Sequence, residues 1–332
     1  MKTFVATVLA SLLIVGAPAS AFGWGDKGHQ TVGQIAQLRL ANTNTLARIN
    51  QILRPGETLS SIATWADDVK DENNFRLNAV DPDPDTQHFF RHLVNTHNRN
   101  WHFVDLPLHC SGYDDPACHS FTSSTDIVSI INLCIRKLRG ENIQSLTKRN
   151  ALRLLVHLVG DLHQPLHVGV GFVNTHGPNH TIVIERDPAV IVQHPNAFPS
   201  DTGGNDLLIT GAISPNLHAF WDSDLVDLAR GNQGISAFAT ALNNMIPTAP
   251  PWDGQGNAFT WASQWASDTL RVSNQNAYDP SITLNSMVIV QGRRKYNTTR
   301  GPNYGINNVP VVRQQLAKGG YRLAKLLQAI FP

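Results

Sequence analysis

Two His/Asp pairs share one spacing. His157 and Asp161 are four residues apart in a nearly apolar segment that includes Leu152, Leu154, Leu155, Val156, Leu158 and Val159. On a helix, both side chains would leave the same face one turn apart. An imidazole and a carboxylate in such surroundings need a reason to be buried. Alone, the pair reads equally well as a hydrogen-bonded couple that satisfies itself in the core. The second pair shifts that balance: Asn216-Leu-His218-Ala-Phe-Trp-Asp222 repeats the spacing, and His167 follows just past Pro165. Three imidazoles and two carboxylates form a donor set suited to zinc. Earlier segments contribute Trp24-Gly-Asp-Lys-Gly-His29, Trp65-Ala-Asp67 and Trp101-His102-Phe103-Val-Asp105. Each is weak singly, and their order along the chain is the distinctive feature.

Helical periodicity dominates the elements that must position these residues. It predicts helices over about 30–40, 44–54, 58–70, 124–139, 147–163, 215–230, 258–273 and 310–330. The helix from Thr147 is apolar on nearly all sides, which marks it as central and buried. Pro165 limits it, because the residue before a proline is pushed out of the helical region. Residues 180–194 predict two short strands around an Asp187-Pro188 turn. The stretches 72–100 and 279–309, rich in Asn, Asp, Pro and Gly, predict long loops. No repeat or linker interrupts the pattern. The expectation is a mostly α fold, a single compact helical domain with a small β hairpin.

Composition bounds the function. The 332 residues include 14 His but only 3 Cys, and 42% are hydrophobic, enough for a sizeable core. At the start, Lys2, an apolar run from Phe4 to Gly16, and Ala21-Phe22-Gly23 read as a secretory signal peptide over residues 1–23. That run is too short to span a bilayer, and no later segment suits a membrane helix, so membrane insertion is not expected. The mature, secreted chain would begin at Trp24. Removing Lys2 takes the 26 basic residues to 25, equal to the 25 acidic ones. A binder working by bulk phosphate neutralisation would carry a basic excess. Any grip on phosphate must therefore be local, and bound divalent metal could supply it. Cys110 and Cys118, close together in a polar loop of an exported chain, favour a local disulfide. Cys134 shares a helical stripe with Ile127, Ile130, Ile131, Ile135 and Leu138 and reads as a buried free thiol.

Taken in order, the motifs resemble those of the zinc-dependent single-strand nucleases and 3′-nucleotidases related to bacterial phospholipase C. The set comprises a mature N-terminal Trp, Trp-Ala-Asp, His-Phe-x-Asp, His-x3-Asp-x5-His, Gly-Gly-Asn and His-x3-Asp. All are present, from Trp24 to the helix ending in Gly319-Gly-Tyr-Arg-Leu-Ala-Lys-Leu-Leu. The resemblance implies a compact helical domain around three Zn2+ ions. One would be held by Asp67, His102, His157 and Asp161, and a second by His167, His218 and Asp222. The third would use the α-amine and carbonyl of Trp24 with His29 and Asp161, which makes Asp161 a bridge. Asp67 and Asp161 are the expected catalytic carboxylates. A zinc-held hydroxide would attack phosphorus in line, the leaving 3′-oxygen would sit on the remaining ion, and products would carry 5′-phosphates.

The resemblance also implies a base pocket from Phe103 and Asp105, with Gly203, Gly204 and Asn205 as the opposite wall and Lys70 near the substrate. Without the surrounding motifs, Phe103 would read as an ordinary core aromatic, Gly203-Gly204 as an ordinary turn, and Lys70 as a solvated helix residue. Trp65 and Trp101 read as packing. The expected substrates are single-stranded DNA or RNA and nucleotides, acted on by a monomer. His88, His92 and His97 are expected in a loop. Like His109, His119, His163, His176, His180 and His194, they are read as surface or supporting residues, with no fourth metal site. The interval 168–202 is longer than the family's usual spacing. Asn179 and Asn297 match glycosylation acceptors, relevant only in a eukaryotic secretory path. Two alternatives remain: a phospholipase C with the same metal core, and a non-catalytic secreted zinc-binding protein.

Overall fold

The computed structural model describes residues 24–70, 83–93, 98–194 and 196–332. The proposed leader, His97 and much of the 72–100 stretch lie outside the described residues. Helices dominate, and the strands among the described residues form only small sheets. None of the described helices is long and apolar enough to cross a membrane.

The helix Lys148–Asp161 is the strut of the fold. Its N-cap, Thr147, accepts a hydrogen bond from the Asn150 N–H at 3.1 Å. From Arg149 to Asp161 every residue is buried. Around it pack Asp26–Arg39, Trp65–Asp68, Ile127–Leu138 and the long C-terminal helix Tyr304–Ile330. Leu152, Leu155 and Leu158 are fully enclosed, each worth roughly 1.5–3 kcal/mol of apolar burial. Its N-terminal turns stay buried because Arg149 and Arg153 meet a carboxylate group. Arg153 lies 2.8 Å from Asp83 and 3.1 Å from Glu57, and Arg149 pairs with Asp83, Glu57 and Asp85. One end of the strut is thus held by ion pairs, and the other carries His157 and Asp161.

Two small sheets flank that second end. Leu106–Pro107 pairs in parallel with Gly169–Val170, just beyond His167. Phe172–Asn174 pairs antiparallel with Val183–Glu185. A third sheet has Arg293–Thr299 in the middle, parallel to Leu207–Ile209 and antiparallel to Thr283–Val290. Cys110 and Cys118 are disulfide-bonded, and Cys134 is a buried free thiol.

Several expectations need correction. Only Val183–Glu185 of the 180–194 hairpin is a strand. Asp187 caps Ala189 N–H and starts the helix Pro188–Gln193, so Asp-Pro is a helix start and not a turn. The hairpin lies instead within 279–309, where Gln291 (φ 50°) and Gly292 (φ 76°) form a two-residue turn. The C-terminal helix begins at Tyr304 and carries Pro310 inside it. The 58–70 helix shrinks to Trp65–Asp68: Thr58 and Ser61 form the reciprocal cap of a helix start, but the chain to Thr64 runs as turns and the Ala63 carbonyl accepts from His157 Nδ1. His88 and His92 stack on the helix Pro84–Leu93, not in a loop. Ile235–Met245 is a further unexpected helix.

Candidate metal centre

The His/Asp residues singled out by spacing converge at the C-terminal end of the strut. His102 Nδ1 is 3.1 Å from His157 Nε2 and 3.7 Å from Asp67 Oδ1, and His157 Nε2 is 3.6 Å from that same oxygen. Asp161 sits between groups: Oδ2 is 3.0 Å from both His102 and His157, while Oδ1 is 3.2 Å from His29 Nε2. His167 Nδ1 approaches Oδ1 to 3.6 Å. A separate group gathers His167, His218 and Asp222, with His218 Nε2 3.3 Å from Asp222 Oδ2. Three buried groups able to hold a metal result: His29/His157/Asp161, Asp67/His102/His157 and His167/His218/Asp222.

Backbone geometry orients the rings. His157 Nδ1 donates to Ala63 O, His167 Nδ1 to His102 O, and His218 Nδ1 to Gly203 O, each at 2.7 Å. A ring whose Nδ1–H is committed to a carbonyl presents a bare Nε2 lone pair, the arrangement found behind metal-bound histidines. His167 Nε2, His218 Nε2, both His29 nitrogens and Asp161 Oδ1 are buried without a hydrogen-bond partner. Such orphaned atoms are costly unless something binds them. The donor set fits zinc.

Electrostatics agree at four of the imidazoles. Burial pushes His29 and His167 below their ordinary values and His102 and His218 down to about 3, which keeps them neutral. Burial also opposes charge on His157, but Asp161 and Asp67 outweigh it and raise the ring to about 9. Burial opposes ionisation of Asp161 as well, and the surrounding imidazoles outweigh it and hold the carboxyl well below its usual range. Asp222 is pushed well up by burial, despite accepting from Gln164 Nε2 at 2.6 Å.

Local structure explains the fit. Gly160, beside Asp161, leaves room for His29: a Cβ there would lie 2.7 Å from the imidazole Nδ1. Residues Phe220–Asp224 form a π-helical turn inside the helical run 217–230, a device that frees main-chain groups. The Asp222 carbonyl accepts from Gly25 N–H at 3.0 Å, which brings the buried Trp24 and its neighbour to the cluster.

The sequence-proposed base pocket lies alongside. The chain leaves the 3-10 helix Asn98–His102 and runs into the strand Leu106–Pro107, with Val104 N–H bonded to His167 O and Leu106 N–H to Val168 O. Alternation buries His102, Val104 and Leu106 and leaves Phe103 and Asp105 half-buried on the other face. Burial raises Asp105 to about 6. Gly203 (φ 59°) must be glycine, since a Cβ would sit 2.4 Å from Leu166 O. Asn205 contributes its carbonyl to Lys295 Nζ at 3.2 Å. Lys70 Nζ lies 3.5 Å from Asp67 Oδ1.

Two supporting residues escaped the sequence reading. Gln164 orients Asp222, and its place between Asp161 and His167 was the available signal. Asp201, fully buried, accepts from Gly204 N–H and Tyr278 O–H at 3.0 Å and from Gly171 N–H at 3.2 Å. Burial raises it to about 7, with the Asp105 charge adding to the shift. His163, read as surface or supporting, is buried, with Nε2 3.1 Å from Arg322.

Residues 24–332 match the family described as S1/P1 Nuclease. The chain is 27% identical to nuclease S1 of Aspergillus oryzae, over 93% of this chain and 92% of that protein. It is 25% identical to endonuclease 4 of Arabidopsis thaliana, over 99% and 94%. Identity to nuclease P1 of Penicillium citrinum is also 25%, over 92% and 97%. With the convergent His/Asp groups, the match identifies an enzyme that cuts nucleic acid: the chain belongs to the S1/P1 nuclease family.

Proposed function

We propose that this nuclease is a secreted, zinc-dependent endonuclease and 3′-nucleotidase acting on single-stranded DNA, RNA and nucleotides. The observation that carries the reading is the set of orphaned, carbonyl-oriented imidazole nitrogens next to the half-buried Phe103–Asp105 face. Asp67, His102, His157 and Asp161 would hold one zinc, and His167, His218 and Asp222 a second. The Trp24 amine and carbonyl, with His29 and Asp161, would hold a third. Zinc there supplies Lewis-acid charge and lowers the pKa of water to about 7. The chain's own residues then select and orient substrate. Phe103 offers a face for a base, Asp105 accepts from base N–H groups, Gly203 and Gly204 leave room opposite, and Lys70 brings positive charge beside Asp67. Export is supported by residues 1–23 and by the Cys110–Cys118 disulfide. A free Trp24 amine requires cleavage before residue 24, and the enzyme is taken to act as a monomer.

The test is one comparative assay on the purified mature enzyme with elemental analysis. About three zincs per chain are expected, with cleavage of single-stranded nucleic acid and 3′-nucleotides ahead of phosphatidylcholine, 5′-phosphate products, and loss of activity on chelation. Preference for phosphatidylcholine would move the site to the phospholipase reading. Full activity without metal would overturn the zinc assignment.

A further inference from the structure

Charge along this chain is unevenly placed. Residues 280–332 contain no Asp or Glu but eight Lys or Arg, in a protein whose overall charge nearly cancels. Most of the eight are committed: Lys318 and Arg322 to Asp268, Lys325 to Asp253, Arg313 to Ala229 O, and Arg300 over the Phe220 ring. Lys295 pairs with Asp206 at 3.3 Å. Among the described residues, Arg293 and Arg294 are exposed and have no acidic partner.

Both begin the inner strand of the Thr283–Val290/Arg293–Thr299 hairpin. That strand is built onto the Gly203-Gly204-Asn205 segment. Tyr296 N–H bonds to Asp206 O at 2.8 Å, Lys295 Nζ to Asn205 O at 3.2 Å, and Leu207 is in register with Tyr296. Arg293 lies on the same strand face as Lys295, two residues (about 7 Å) along the strand, and Arg294 on the opposite face, so the two flank the strand end next to the turn. The outer strand adds exposed apolar side chains opposite: Ile289 across from Arg294, and Val290 across from Arg293. Cations next to apolar surface, on a strand bonded to the Asn205–Asp206 segment beside the proposed base pocket, complement a strand of phosphates with unstacked bases.

We infer that this hairpin is a second contact surface for the polynucleotide, with Arg293 and Arg294 binding phosphates beyond the nucleotide held at Phe103 and Asp105. The inference rests on the proposed base pocket but concerns long substrates only. On that reading, substrates of one or two nucleotides would end before reaching it.

The test is Arg293→Ala/Arg294→Ala in the zinc-loaded enzyme. Expected results are a roughly three- to tenfold lower kcat/KM on long single-stranded DNA and a dinucleotide rate unchanged. The dependence of log kcat/KM on log salt should be shallower by about 1.4 for two lost phosphate contacts. Fluorescence anisotropy with a labelled phosphorothioate single strand should show matching loss of binding. Unchanged strand binding and salt slope would overturn the inference, whatever the cleavage activity. If wild type cleaves neither substrate, the functional reading fails instead, and the anisotropy still decides the hairpin. Loss of cosedimentation with phosphatidylserine vesicles, while strand binding persists, would assign the patch to anionic membrane and also overturn it.

Discussion

His157, His167 and His218 are each pinned at Nδ1 by a main-chain carbonyl, whereas Phe103 and Asp105 owe their placement to backbone bonds of Val104 and Leu106 on either side. The His/Asp cluster is therefore woven into the core: altering one member leaves others buried and unpaired. The strand face beside it presents side chains that the core does not use. Chemistry and selectivity should separate on mutation, the first falling together with metal content and stability, the second moving alone.

The largest expected effect tests the woven half. Asp161→Asn should lower cleavage by more than the roughly 10- to 100-fold cost of losing a mere supporting hydrogen bond. Elemental analysis should show metal loss from two groups, since Asp161 faces both, and His29→Ala should be milder because it touches one. Equal effects of the two changes would remove the bridging role. Next, Phe103→Ala should reduce cleavage of nucleotides by one to two orders of magnitude, from about 1–3 kcal/mol of lost base stacking. Its zinc content and melting temperature should match wild type, and a variant that also loses metal would erase the distinction between the halves.

Asp105→Asn should be smaller in rate and larger in preference, because an amide offers a donor where the carboxylate only accepts. Base selectivity on the four homopolymers is the measurement. The smallest effect concerns Asp201, held near 7 when folded against an ordinary carboxylate value of 3.8. The unfolded chain ionises first as pH rises, so wild-type stability falls relative to Asp201→Asn between about pH 4 and 7 and levels off above that. Melting temperatures across this range that run parallel for the two proteins would contradict the raised value.

The metal groups were legible in the sequence because helical spacing converts directly into a shared face, as with His157/Asp161 and His218/Asp222. Even the π turn at Phe220–Asp224 did not break that relation. Elsewhere legibility failed. The 58–64 pattern runs as turns, with the Ala63 carbonyl taken by the distant His157, Asp187 capped a helix where an Asp-Pro turn was expected, and Gln291-Gly292 hid a hairpin inside a loop-like composition. Asp201 was illegible for another reason. Its partners, Tyr278 and Gly171, are distant in sequence, so only the folded chain brings them together.

The hydrogen bond from Gly25 N–H to the Asp222 carbonyl joins the beginning of the domain to a segment two-thirds of the way along it. During synthesis, His29 emerges long before Asp222, and the Tyr304–Ile330 helix that packs against Asp26–Arg39 emerges last. At about 5–20 residues per second, ribosomal output separates these events by many seconds. No early portion of the chain holds the full cluster, so its closure is a late, long-range folding event. Ion capture would then coincide with completion of the fold and take place wherever the finished polypeptide matures.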